Sequence, residues 1–208
     1  MPARLSAILS SLLLGACSVV GIRSGTEEPA FAVLERVGEV EIRRYAPRIA
    51  AETEVTGAEE QARNEGFRRL AGYIFGGNAR RDRIAMTAPV AQAPGERIAM
   101  TAPVAQQGGE GAWRIRFFMP ARFTLETLPR PNDPRVVLVT LPEEIVAVLR
   151  FSGVPRPEAV AEHGAGLAAA LAAGAWAPAG PLQAWFYDPP WTVPALRRNE
   201  VVVPVARR

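Results

Sequence analysis

Apolar and polar positions along the chain form one pattern that occurs twice. The segment VEIRRYAPRIAAETEVTG at 40–57 aligns without gaps with VVLVTLPEEIVAVLRFSG at 136–153, an offset of 136 − 40 = 96 residues. Val40/Val136, Ile49/Ile145, Ala51/Ala147 and Gly57/Gly153 are identical pairs. Ile42/Leu138, Tyr45/Leu141, Val55/Phe151 and Thr56/Ser152 match in character. Each copy alternates around a polar, proline-containing turn, which predicts two strands joined by that turn.

A helix is predicted after each pair. In the first half, Thr56-Gly57-Ala58-Glu59 has capping-box spacing. Arg63, Phe67, Leu70, Ala71 and Ile74 then recur at steps of three and four, with Glu65, Arg68 and Arg69 on the opposite side. Gly76-Gly77 ends the helix. In the second half Pro157 suits the first turn, Val160, Gly164, Leu167 and Leu171 form the stripe, and Gly174 ends it. Two more strands follow each helix, at 84–90 and 113–119 and at 182–187 and 200–205. The prediction is an α+β fold: two pseudo-twofold ββαββ repeats that pair into one antiparallel, barrel-like sheet carrying two helices. A shorter duplication lies within the first half. RIAMTAPVAQAPGE (83–96) and RIAMTAPVAQQGGE (97–110) differ only at Ala93/Gln107 and Pro94/Gly108. It reads as a duplicated strand lengthening a hairpin through Pro94-Gly95.

The N-terminus carries a different signal. Arg4 precedes a ten-residue apolar run at 5–14, too short to span a bilayer and suited to a signal-peptide core. It ends in Leu14-Gly15-Ala16-Cys17, which resembles the bacterial lipobox. The expected organisation is a lipoprotein signal peptide at 1–16, a lipidated Cys17 with a tether to residue 30, and one folded domain over 31–208. Ser18 after the Cys favours the outer membrane by analogy with lipoprotein sorting, so the expected location is the cell envelope, at the periplasmic face of that membrane. The 208 residues suffice for one well-buried domain. Charge is nearly balanced, 24 basic against 21 acidic residues, which disfavours a nucleic-acid binder held by phosphate contacts. All basic residues are Arg. One Cys excludes an intrachain disulfide, and one His excludes a His-rich metal site.

Several segments, taken in order, point to a family. YIFGGN at 73–78, the IAMTAPV segments, FFMP at 117–120, TLP at 127–129 with PNDP at 131–134, RFSG at 150–153, and YDPPW at 187–191 with RRNE at 197–200 resemble the SOUL heme-binding family. The match runs from about Phe31 to Val205. The resemblance implies a distorted eight-stranded antiparallel β-barrel flanked by two helices. It also implies non-covalent binding of heme or another tetrapyrrole in a hydrophobic cleft beside the first helix. A porphyrin is a flat apolar disc with two carboxylates on one edge, so it needs an apolar slot with cations at the rim. The matching positions are Phe67, Leu70 and Ala71 on the helix, Tyr73 at its end, Met86 in the first IAMTAPV segment, and Arg63 as cation, with Arg68 and Arg69 also available. Asn64 stands where some relatives carry a basic residue. Arg44 stands where one branch is proposed to place an axial His; a protonated Arg cannot ligate iron.

Other residues have plainer readings. His163 flanks the second helical stripe and reads as a partly buried structural His. Met86 and Met100 sit among apolar strand neighbours and read as core. Tyr45, Tyr73 and Tyr187 are possible ferric-iron ligands that ordinarily bury their rings. Glu143-Glu144 lies in a turn, opposite Pro47-Arg48 in the repeat, and reads as a solvated turn instead of an acid/base pair. No catalytic constellation or phosphate-binding glycine loop appears. The leading expectation is a non-enzymatic, envelope-anchored tetrapyrrole binder. The alternatives are a binding module for other hydrophobic small molecules, resembling the effector-binding domains of multidrug-responsive regulators, and a tetrapyrrole-modifying enzyme.

Overall fold

A computed structural model describes residues 26–95, 111–172 and 174–208. The order is β1 (Phe31–Val37), β2 (Val40–Tyr45), β3 (Arg48–Gly57), α1 (Glu59–Ile74), β4 (Val90–Pro94), β5 (Gly111–Phe118), β6 (Val137–Leu141), β7 (Glu144–Phe151), α2 (Pro157–Ala172), β8 (Trp176–Pro178), β9 (Gln183–Phe186), a 3-10 turn at Pro194–Leu196, and β10 (Asn199–Arg207). The fold is α+β, with two helices and one large antiparallel sheet. Its strand order is β1-β2-β7-β10-β9-β4-β5-β3-β6, with β8 paired to β10.

All four strands of the 96-residue repeat form as the alternation predicts, and they pair across the two copies, β2 with β7 and β3 with β6. The strand expected at 84–90 does not: pairing begins at Val90, opposite Phe117, and Thr87 makes only an isolated bridge to Glu27. Pro89 has no N–H to give a ladder, so the strand starts after it. The first copy of the short duplication therefore supplies β4. The second copy lies outside the described residues, as do the signal peptide and Cys17. The capping box is also absent. Thr56 and Gly57 remain in β3, opposite Ala112 and Gly111, and Ala58 caps α1 without a side-chain bond. Glu59 and Glu60 in the first turn complement the helix dipole instead.

The sheet does not close into the expected eight-stranded barrel. β1 occupies the edge of β2 that closure onto β6 would require, so β1 and β6 end the sheet. It is nonetheless tightly curled. β2 and β9 are three strands apart, about 14 Å on a flat sheet, yet the rings of Tyr45 and Trp185 lie 5.5 Å apart.

Both helices sit on one face. Val90 and Phe186 are direct cross-strand partners on that face; Val90 belongs to the core under α1 and Phe186 packs on the core under α2. The predicted α2 stripe of Val160, Gly164, Leu167 and Leu171 is the buried one. The helix-free concave face holds a third core that includes Tyr45, Phe118, Val146, Trp185 and Val202. Among the described residues, no helix is long and apolar enough to cross a membrane.

Candidate functional site

The seat of α1 decides what can bind near it. Its buried residues are Ala62, Gly66, Leu70, Tyr73 and Ile74, a stripe rotated from the expected one. At Gly66 the helix backbone lies directly on β5: a Cβ there would meet Ile115 side-chain atoms at 2.7–2.9 Å. Leu70, Ile74, Ile115 and Phe117 fill the space beneath. No slot for a ring therefore lies between α1 and the sheet at this point.

The six expected binding residues are divided by that rotation. Leu70 is fully buried in the core. Tyr73 is buried as well, and its hydroxyl donates to the Pro129 carbonyl at 2.9 Å. Burial pushes its phenol up to about 12, with Arg80 opposing. Arg63 is engaged elsewhere: Nη1 donates to the Pro155 carbonyl at 3.3 Å, and the guanidinium lies 4.8 Å from the centre of the Phe186 ring. Burial lowers its pKa, against the pull of Glu60 and Glu59.

Phe67, Ala71 and Met86 stay at the surface. Phe67 is 40% exposed, with its ring edge-on to Phe117 at 5.3 Å. Ala71 is half-buried, and Met86 is exposed instead of joining the core as its neighbours suggested. Four-residue steps from Phe67 through Ala71 lead to Phe75, which is 61% exposed and which the sequence reading missed. These three residues form a ridge about 12 Å long at 1.5 Å per residue. Alongside runs the segment carrying Met86. It is fixed at one end by the Ile84 N–H to the Ile74 carbonyl, 2.8 Å, and at the other by the Thr87 hydroxyl to the Phe118 carbonyl. Arg81 and Arg83, in the loop that returns from the helix end, are exposed and have no ion pair among the described residues. The flank thus offers an apolar strip with cations at one end. Those residue types fit a flat apolar ring bearing carboxylates.

The opposite flank is polar. Between α1 and the paired strands β3 and β5 lies a cleft of about 380 Å³ lined in part by Glu54, Thr56, Gln61, Glu65 and Arg69. Arg69 bonds Glu65 there and reaches the Glu54 carbonyl, while Arg68 bonds Glu65 from the exposed side of the helix.

The remaining candidates lie elsewhere. His163 stacks on Phe151 at 4.3 Å with Nδ1 against the Ala159 carbonyl, in the α2 half. Arg44 is exposed on β2. Glu144 pairs with Arg48. Arg197 bonds the carbonyls of Thr192 and Pro190, and Arg198 pairs with Glu28 and Glu200. Glu27 accepts from the Ala121 N–H at 2.6 Å, so the described end of the segment read as a tether is docked on the domain. Met100 lies outside the described residues. Among the described residues, no group of three or more His, Cys, Asp and Glu is placed to hold a metal.

Fold and surface together define an α+β domain with a curled antiparallel sheet and a solvent-exposed apolar flank on its first helix. The sequence matches the family described as SOUL heme-binding protein over residues 26–204. The chain belongs to that family. Among curated proteins, none matches it in sequence. Solved structures share the fold at low identity. The C-terminal domain of EcmrR aligns with a TM-score of 0.59 at 9% identity, over 81% of this chain and 98% of that one. An uncharacterised conserved protein from Listeria innocua gives 0.55 at 12%, covering 81% and 92%. A hydrolase from Listeria innocua gives 0.54 at 11%, covering 83% and 94%.

Proposed function

We propose that this protein binds heme or another tetrapyrrole on the outer flank of α1, as a carrier and not as an enzyme. The observation that supports the reading is the exposed apolar ridge of Phe67, Ala71 and Phe75 beside Met86, with Arg81 and Arg83 near its end for the carboxylates. Leu70 and Tyr73 act from below by fixing the helix, and Arg63 by tying α1 to the loop before α2. Binding rests on removal of apolar surface from water. Neither Arg44 nor His163 is placed as an iron ligand on this flank.

Hemin added to the folded domain should give a Soret band distinct from that of free hemin. Metal-free protoporphyrin should bind within about threefold of hemin, because burial and not ligation holds the ring. Phe67→Glu and Phe75→Glu should each weaken binding about tenfold. Unchanged affinity in both variants refutes the site, and an unshifted Soret band refutes the function.

We further propose that Cys17 is lipidated and holds the domain at the periplasmic face of the outer membrane. The lipobox supports this. Labelled palmitate should enter the wild type but not Cys17→Ser, and the variant should leave the membrane fraction. We also read the fold as two ββαββ halves. The strand order supports it: in the eight strands from β2 to β6, with β1 and β8 outside the repeat, exchanging β2 with β6, β3 with β7, β4 with β9 and β5 with β10 reproduces the same order reversed.

A further inference from the structure

On the concave face, away from α1, Arg48 lies inside a cage of aromatic rings. Its guanidinium carbon is 4.4 Å from the Tyr45 ring centre, 4.8 Å from Phe118 and 6.0 Å from Trp185. Tyr45 precedes Arg48 across the turn at 46–47, Phe118 lies on β5 beside β3, and the curl of the sheet adds Trp185 from β9. The side chain is nine-tenths buried. One nitrogen pairs with Glu144, which is 28% exposed beside it. The other two, Nε and Nη1, are buried and have no hydrogen-bond acceptor. Arg48 and Glu144 are also equivalent positions in the 96-residue repeat (144 − 48).

Ring faces attract a cation without requiring donors from it. A guanidinium with two unpaired N–H groups is an imperfect occupant, because each buried unpaired donor carries a standing cost. A cation without such donors would keep the attraction and avoid that cost. Arg48 also stands at the first position of β3, next to the turn, where its side chain can leave without unpairing strands.

We propose that this cage is a binding site for a small organic cation of the quaternary ammonium type, with Arg48 as its resident plug and Glu144 as the counter-charge. The site is separate from the α1 flank, so it stands or falls independently of tetrapyrrole binding.

The test uses choline and its uncharged isostere 3,3-dimethyl-1-butanol, titrated calorimetrically into the wild type and Arg48→Ala. Arg48→Ala should bind choline about tenfold more tightly than the wild type does, and about tenfold more tightly than it binds the alcohol. A folded Arg48→Ala that does not prefer choline to the alcohol overturns the proposal. If Arg48→Ala does not fold, the wild type decides by NMR. Choline should shift the Trp185 indole N–H resonance, whose donor sits 3.2 Å from Gln183 Oε1, and the alcohol should not. No shift with choline, or equal shifts with both, overturns it.

Discussion

Replacing Gly66 with alanine tests whether α1 rests directly on the sheet. An added Cβ would lie 2.7 Å from Ile115 Cγ1, 2.8 Å from Cβ and 2.9 Å from Cδ1. Two effects compete. Gly→Ala inside a helix stabilises by about 1 kcal/mol through propensity. Overpacking a filled contact costs about 1–3 kcal/mol. Gly72, on the same helix, supplies the control: a Cβ there meets nothing within 4 Å. Gly72→Ala should therefore stabilise by about 0.5–1 kcal/mol. The difference between the two variants cancels the propensity gain and isolates the steric cost, about 1–3 kcal/mol. Urea unfolding measures both, with unchanged m-values needed for the subtraction to hold. If Gly66→Ala stabilises as much as Gly72→Ala, a gap lies beneath the helix, and a ligand slot between α1 and β5 replaces the flank as the favoured site.

Leu70→Ala should cost about 2–5 kcal/mol, because the side chain is wholly buried, while leaving the exposed ridge intact; a loss below 1 kcal/mol would show that the core under α1 is open. Glu200 is fully buried and accepts from Arg43 at 3.0 and 3.2 Å, Tyr187 at 2.6 Å and Arg198 at 2.9 Å. Glu200→Ala leaves buried Arg43 with Glu41 as its remaining partner, 2.8 Å away, and takes the carboxylate from Tyr187 and Arg198 as well. It should destabilise by about 3 kcal/mol in thermal or urea unfolding. Burial raises the pKa of all three tyrosines, Tyr73 to about 12 from the ordinary 10.0. A raised folded-state pKa means this stability is fully present below pH 10 and is lost as pH rises toward 12. Absorbance at 295 nm should show no tyrosine ionising near pH 10 in the native protein; a step there in native buffer refutes the burial.

The two helices show how far periodicity reaches. The α2 stripe was readable because Val160, Leu167 and Leu171 are large and apolar. The phase of α1 was not. Its seat is made by Ala62 and Gly66, which carry little hydrophobic signal, while Arg63 and Phe67 look like core residues on a helical plot. Only contact with Ile115 reveals that smallness at position 66 is what lets the helix approach. Phe75 was within reach of the sequence, one further four-residue step along the ridge, but the predicted stripe ended at Ile74. The family was legible from its ordered motifs, since short segments around turns and strand ends survive in linear sequence.

Alternation and helical spacing, which depend on near neighbours along the chain, by themselves set the strand pairs at 40–57 and 136–153, both helices, and the α+β class. β1 takes the free edge of β2 as the neighbouring arm of a tight hairpin turning at Gly38-Glu39, whereas the pairings of β2 with β7 and of β3 with β5 and β6 join segments far apart along the chain that no local pattern encodes. The curl of the sheet brings Trp185 on β9 to Arg48 and Tyr45, which the turn at 46–47 already holds close together. That meeting, like the rotation of α1 that leaves Phe67 and Phe75 facing water, is a product of packing in three dimensions.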